Sequence, residues 1–525
     1  MCAAARLVAR PAPTATNDPC ALMATPAADA PPAAGLRDRI LRGLGWKVIS
    51  QIVLLASKFV VAIVLARLLA PDDFGLAGMV LVFASLAYVF SDLALGAALV
   101  QRRVLSDADR STVFWTSFAA GLAFTGLGVA LSGPIAALYG EPAVQPLFAA
   151  LSLSFLVNAL GTTQKALLTR ELDFRRLELR MILATLIAAA VGIALAAYGF
   201  GAWAIIAQQL TIAGVSTVLL WAVSPWRPRF TFSRASLRDL SGFSANVFAT
   251  RMLFYVSRNA DNFLIGRFLG TAALGLYALA YNVMLTPFSQ IAGPIQEVLF
   301  PAFSRMQDDV RRLGSIWLRV NRMVAAFAMP ALLGLMIVAS DFVHVALGER
   351  WEDAVPLIQI LAWVGLLQSL QRMNSSVLQA RDRTSTLLVF SVVAVSANVV
   401  AFVVGLRWGI VGVAVCYAVS NTALQPMYTW LTARTVGLSL LDCARNLSGV
   451  AQASLLMAGL VFGCRLLLVE EDVGPAARLT LLVAIGTASF VGFALWRAPA
   501  LVADLRSLRR APAPNAAALH EPSRS

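Results

Sequence analysis

Long apolar runs separated by short charged clusters dominate the chain, and the informative quantity is the length of each run rather than an alternation within it. A helix that crosses a bilayer needs about 20 mostly apolar residues. The stretch from Ser111 to Gly140 carries no charge and suffices for one such helix. The stretch from Met181 to Trp226 suffices for two, with Gly199-Phe200-Gly201 as the turn between them. Measured in this way, the sequence predicts fourteen spanning helices, at 44–69, 74–100, 112–138, 145–168, 181–198, 202–223, 243–268, 273–299, 320–346, 354–379, 384–406, 409–433, 447–468 and 478–497. The nearest competing count is twelve, because the last two runs, separated by Glu470, Glu471 and Asp472, barely reach spanning length.

Loop charge gives this map an orientation. Arg102, Arg103 and Arg110, the quartets Arg170/Arg175/Arg176/Arg180, Arg227/Arg229/Arg234/Arg238 and Arg305/Arg311/Arg312/Arg319, and the pairs Arg381/Arg383 and Arg434/Arg445 all fall in loops on one side. Loops on the other side hold only Arg350, Arg407 and Arg465 and gather Asp72, Asp73, Glu141, Glu349, Glu352, Asp353 and the Glu470 cluster. Basic loops stay cytoplasmic, so both termini are predicted in the cytoplasm. The Ala/Pro-rich segment before residue 37 has no apolar core of a cleavable signal, and Met23 is an alternative start.

Composition narrows the class. The 525-residue chain is 59% hydrophobic and 13% charged, against roughly 25% charged in soluble proteins, which excludes a water-soluble fold. A net charge of +14 would suggest nucleic acid in a soluble domain, but the charges recur between apolar runs and form no stripe. Only Lys47, Lys58 and Lys165 are lysines; the arginine excess reads as genomic composition. Five scattered cysteines and two histidines, His344 and His520, make a metal site or disulfide framework unexpected. No nucleotide-binding loop, HExxH helix or GxSxG elbow occurs, and no external loop is large enough for catalysis. Neither an enzyme nor a cofactor is predicted.

An internal repeat organises the helices. Ala66-Arg67-Leu68-Leu69 and Phe74-Gly75-Leu76 match Gly266-Arg267-Phe268-Leu269 and Leu274-Gly275-Leu276 at an offset of 200 residues, which also pairs Lys58 with Arg258. At an offset of 211, Leu167-Leu168-Thr169-Arg170 matches Leu378-Gln379-Ala380-Arg381. The fold class expected is therefore an all-α polytopic membrane protein: two parallel six-helix bundles plus two C-terminal helices. The expected divisions are a disordered tail at 1–36, a first lobe at 37–223, a cytoplasmic linker at 224–242, a second lobe at 243–433, helices 13 and 14 within 447–497, and a disordered tail at 498–525.

Ionisable groups at membrane depth cost about 2.5 to 3.5 kcal/mol on insertion scales, so each is a candidate for a cavity lining. Lys47, Gln51 and Lys58 fall within about 40° of one another at roughly 100° per residue. Ser244, Arg251, Tyr255, Arg258 and Asn262 share one face of the seventh predicted helix, with Asp261 able to pair with Arg258. Two cationic stripes facing each other would suit an anionic ligand; a structural ion pair and snorkelling at helix ends are the alternatives. Asp92, Lys165 and Glu297 could line the same cleft, the last two also reading as helix-end charges. Arg67 and Arg267 read as interfacial anchors, and Pro287 with Gly293-Pro294 as a hinge or fixed kink in the eighth predicted helix.

The segments GWKVISQIVLLASKFVVAIVLARLLAPDDFGLAGMV, TTQKALLTRELDFRRLELR and NADNFLIGRFLGTAALGLYALAYNV resemble the Wzx-type oligosaccharide flippases, polysaccharide exporters of the multidrug/oligosaccharidyl-lipid/polysaccharide superfamily, over about residues 40 to 440. The resemblance implies two six-helix lobes around a cavity that opens alternately to each side of the bacterial cytoplasmic (inner) membrane. The implied cargo is an undecaprenyl-diphosphate-linked oligosaccharide for exopolysaccharide, capsule or O-antigen (lipopolysaccharide) synthesis, with a polysaccharide polymerase and export machinery as candidate partners. On that reading Lys58, Arg258, Arg251, Asn262, Asp261 and Asp92 line the substrate cavity. The alternatives are a multidrug/cation antiporter of the same superfamily, which would favour acidic lining, and a membrane polysaccharide polymerase or ligase.

Overall fold

A computed structural model describes residues 33–92, 96, 99–100, 105–234, 255, 259–284, 303, 306 and 308–510, with backbone alone at 33–45, 47–48, 86–92, 505 and 507–510. Among these residues there is no strand. The helices are α1 (Ala33–Leu68), α2 (Pro71–Asp92), α3 (Asp107–Tyr139), α4 (Val144–Arg170), α5 (Phe174–Ala197) and α6 (Ala202–Val223). The helical stretch Asn259–Met284, α7, follows. Beyond it lie α8 (Val310–Phe342), α9 (Val355–Ala380), α10 (Thr384–Gly405), α11 (Gly409–Thr435), α12 (Leu440–Glu470), α13 (Pro475–Arg497) and α14 (Pro499–Arg510).

Eleven stretches among the described residues are long and apolar enough to cross a membrane, and one of them, Thr384–Thr435, contains both α10 and α11. Several helices begin earlier than a count of uncharged residues suggests. Ser106 and Asp109 form a reciprocal cap on α3, Ser439 and Asp442 do the same for α12, and Asp173 accepts from the Arg176 N–H at 3.1 Å to start α5. Such caps satisfy the free N–H groups of a first turn, so these turns continue past the apolar run into the charged residues. Two expectations about the tails change in the same direction: α1 already begins at Ala33, and 499–510 is helical rather than part of a disordered tail.

One apolar cluster joins the two halves of the chain. Met79, Tyr139, Phe148 and Phe155 pack with Leu274, Tyr277, Trp351 and Leu361, all buried. The closest approach is between the N-terminal turn of α2 and the middle of α7. A Cβ on Gly75 would overlap the carbonyl of Thr271, and a Cβ on Gly275 would overlap the carbonyl of Pro71. The contact is reciprocal at an offset of 200 residues, as a two-fold-like contact requires, and Thr271 Oγ1 donates to Asp72 Oδ1 at 2.5 Å across it. Gly270, at φ +87°, makes the bend that brings this turn of α7 into place.

The C-terminal helices dock on α8 at both ends. At one end the buried carboxylate of Asp341 receives Arg465 Nε of α12 at 3.1 Å and Arg478 Nε of α13 at 2.6 Å. At the other, Asp504 of α14 receives Arg322 Nε at 2.9 Å and pairs with Arg319 at 3.0 Å, while Arg322 also donates to Asn446 of α12 at 2.9 Å.

Gly75→Ala should lower the thermal unfolding midpoint of the detergent-solubilised protein by several degrees, the effect of roughly 1 to 3 kcal/mol of overpacking. Gly214→Ala in α6, whose Cβ would have nothing within 4 Å, should leave the midpoint unchanged or raise it. Equal midpoints for the two variants would show that the helix ends are free to separate.

Candidate functional site: a cavity beneath a packed end

Residues 66–75, 139, 201–202, 266–275 and 342–351 meet at one end of the bundle, which carries Asp72, Asp73 and Glu141. Ala202 N–H donates to Asp73 Oδ1 at 3.0 Å, joining α6 to α2. Trp351 is fully buried and donates to the Ala66 carbonyl at 2.7 Å; its ring meets Phe74 edge-on at 5.2 Å. Arg67 is exposed, yet Nε donates to the Ala346 carbonyl at 2.9 Å and Nη2 to that of Val345. The π-helical turn Val343–Leu347 ends α8 and leaves these carbonyls available. Arg67 is thus not simply an interfacial anchor: it ties α1 to the end of α8. Arg267, 200 residues further on, lies over the Phe268 ring at 5.5 Å and makes no comparable carbonyl tie among the described residues.

A cavity of about 860 Å³ lies beyond this packed end. Its walls come from α2, α4, α5 and α6, and Tyr255 and Asn259 of the second half complete them. Tyr255 Oη donates to the Val82 carbonyl at 2.6 Å, holding the two halves together at the wall. Lys165 and Arg180 are the charged residues among the described lining, and Asn158, Thr162, Gln209 and Ser216 supply neutral polar groups. No carboxylate is among the described lining residues.

Arg180 was counted with the loop charges of the sequence; the early start of α5 puts it in the second turn of a helix, 8% exposed and on the cavity wall. Lys165 precedes the end of α4 by five residues and Arg180 follows the start of α5 by six. At 1.5 Å per residue both sit about 8 Å inside the loop that joins the antiparallel pair. The signal was present in the sequence as the Asp173 cap, which shows that α5 begins before its basic residues.

The residues expected at the site fall differently. Lys58 lies in the spanning part of α1 and is exposed. The most exposed apolar residues of α1, Ile49, Ile52 and Val60, fall about 120° to 180° away from it around the helix. Lys58 therefore shares no face with the lipid-facing stripe. Asp261 is 5% exposed and accepts from Tyr277 Oη at 3.0 Å, with Asn262 N–H donating to its other oxygen at 2.8 Å. None of Lys58, Asp261 and Asn262 borders the 860 Å³ cavity. Arg251, Arg258, Glu297, Pro287 and Gly293-Pro294 lie outside the described residues, as do the side chains of Lys47 and Asp92. No cluster of His, Cys, Asp and Glu suited to a metal occurs among the described residues.

An all-helical bundle with many spanning segments, two halves in reciprocal contact and a cavity between helices that holds two cations defines a class: an integral membrane transporter. The chain belongs to the polysaccharide biosynthesis protein family, whose sequence model matches residues 64–356. It is 31% identical to the lipopolysaccharide biosynthesis protein WzxC of Escherichia coli over 70% of this chain and 76% of that protein. It is 27% identical to the teichuronic acid biosynthesis protein TuaB of Bacillus subtilis over 86% of this chain and 94% of that one. Among solved structures, the lipid II flippase MurJ in an inward closed conformation has a similar fold, with a TM-score of 0.70 at 14% identity, covering 87% of this chain and 98% of that chain.

Arg67→Ala should loosen the tie between α1 and α8. In the purified protein with its native cysteines replaced, a cysteine at buried Ala66 should then react with a thiol reagent at least several-fold faster than in the Arg67 background. An unchanged rate would show that Trp351 alone keeps this end shut.

Proposed function

We propose that the protein is a flippase that carries a polyprenyl-diphosphate-linked oligosaccharide across the cytoplasmic (inner) membrane for polysaccharide biosynthesis, by alternating access. The observation that carries this reading is the cavity: 860 Å³ beneath a packed end, with hydroxyl and amide groups and two cations set among a mainly apolar lining. Hydroxyls and amides match sugar hydroxyls as donor and acceptor partners. Arginine and lysine match phosphate. A cation antiporter would favour acidic lining, and the described wall has none.

The packed end is the periplasmic gate in this reading, and the chain crosses the membrane fourteen times with both termini cytoplasmic. The reciprocal contact of Gly75 and Gly275 supports two parallel six-helix bundles related by an axis along the membrane normal. Lys58 and Arg258, with Arg251, Asn262, Asp261 and Asp92 nearby, hold the diphosphate in the central cleft. Lys165 and Arg180 belong to the adjoining wall. The protein acts as a transporter and not as an enzyme.

Lipid-linked intermediates should accumulate in cells deleted for the gene and clear on complementation. A charge-assisted contact contributes about 1.5 to 3 kcal/mol, so Lys58→Ala and Arg258→Ala should reduce clearance roughly tenfold or more at matched expression. Arg267→Ala should have a weaker effect. Arg258→Ala combined with Asp261→Ala separates binding from folding: abundance recovers if the pair is structural, while clearance stays impaired if Arg258 holds substrate. Full clearance by well-expressed Lys58→Ala and Arg258→Ala would overturn the assignment.

The topology has its own test. Single cysteines replacing Asp72, Glu141 and Glu471 should react with an impermeant thiol reagent in intact cells, in a background without native cysteines. Labelling of cysteines at Arg176 or Arg234 instead would invert the map.

A further inference from the structure

The segment that leaves α6, Ser224 to Ser233, is not helical, yet its path is fixed at almost every step. Pro225 and Pro228 restrict its backbone. Arg227 turns back on the end of α6, donating from Nη2 to the Trp221 carbonyl at 3.0 Å and from Nη1 to that of Ser224 at 2.5 Å, with its guanidinium 5.5 Å from the Trp221 ring. The chain then crosses the start of α3. Arg229 N–H donates to Ser111 Oγ at 3.2 Å, Ser233 N–H to Thr112 Oγ1 at 2.9 Å, and Trp115 Nε1 to the Arg229 carbonyl at 2.9 Å. Arg229 also pairs with Asp107 at 3.2 Å.

So firmly held a segment would be expected to turn its apolar side chains inward, and it does the opposite. Phe230 is 91% exposed and Phe232 55%. One face of Phe230 stacks on Trp115 at 5.0 Å, and Phe114, Trp221 and Trp226 lie edge to edge behind that pair.

The depth of the segment identifies what covers those rings. Arg110 is the last charged residue before the apolar run of α3, and Trp115 lies five residues, or about 7 Å, further in. Trp221 stands at the matching end of α6. Tryptophans at the ends of spanning helices sit at headgroup level, with their rings toward the acyl chains. Phe230, stacked on Trp115, shares that level, while Arg227 and Arg229 share it with the lipid phosphates.

The geometry points to a membrane-seated strap: Ser224–Ser233 lies in the leaflet interface instead of crossing the aqueous phase, with Phe230 and Phe232 inserted among acyl chains and the exposed Arg229, beside Asp107, at the level of the anionic headgroups. The partner is the phospholipid surface itself, bound as interfacial segments bind it, by buried apolar area and basic charge. The strap holds the first six helices to the leaflet at the point where the chain departs for its second half. This inference rests on the membrane reading of the helices and is independent of the cargo.

Site-directed spin labelling tests it. In protein without native cysteines, reconstituted in vesicles of phosphatidylethanolamine and phosphatidylglycerol, labels are attached at Phe230→Cys and, separately, Phe232→Cys. Both should relax preferentially with dissolved oxygen over a water-soluble nickel chelate, matching Val218→Cys on the exposed apolar face of α6 (66% exposed). Arg176→Cys serves as the aqueous reference. Chelate accessibility at both positions equal to that at 176 would overturn the strap. Protection from both reagents would overturn it too, since the rings would then be covered by protein rather than lipid. A failure of flipping in cells would leave these relaxation ratios unchanged, so the two readings fail separately.

Discussion

The two halves of the chain touch backbone to backbone where Gly75 meets Thr271 and Gly275 meets Pro71, and most of the architecture depends on that approach. A side chain at either position would hold the helix ends apart. Trp351 could then not reach the Ala66 carbonyl, and Asp72 could not accept from Thr271. In hydrocarbon no hydrophobic effect drives helices together, so close packing through small residues and hydrogen bonds across helices must do so. At this end both are present, and the large apolar cluster of Met79, Leu274, Tyr277 and Trp351 fills the space around them. The cavity lies beyond this end, walled mainly by helices of the first half.

Much of this was legible as length. Run lengths located α4, α6, α9, α10, α11 and α13 to within a few residues, because a span is set by bilayer thickness and not by neighbours. The offset that pairs Phe74-Gly75-Leu76 with Leu274-Gly275-Leu276 marked the two turns that meet. What escaped was contact. Nothing in the spacing of Arg67 says that a π-helical turn elsewhere will offer it two carbonyls, so an interfacial reading was the natural one. Arg180 was misplaced for a local reason: counting uncharged residues ends a helix at its first charge, whereas the Asp173 cap lets α5 begin two turns earlier. Asp261 pairs with a tyrosine sixteen residues away in sequence, a partner that only the bend at Gly270 brings near.

The buried carboxylates follow one rule. A buried charge persists only where partners compensate its desolvation. Asp341 has two arginines, and Asp504, mostly buried, has two more. In both cases the partners come from helices that the apolar pattern does not require to be adjacent. Leu501 and Ala498 pack on Ala325 and Val450 beside the second of these, so α14 is docked by apolar contact as well as charge.

These attachments decide how the helices can be grouped as moving bodies. α12 and α13 are pinned to α8 by Asp341 at one end, and α12 and α14 by Arg322, Asn446 and Asp504 at the other. Breaking either cluster would strand a buried carboxylate in an apolar setting, which costs more than parting the carbonyl bonds of Arg67, whose charge stays exposed, and the neutral bond of Trp351. Separation is therefore cheapest between α1 and α8 and dearest between α8 and the C-terminal helices. The three C-terminal helices are accordingly fastened to α8 as part of the second half, while α1 meets α8 through the carbonyl bonds of Arg67 at the packed end.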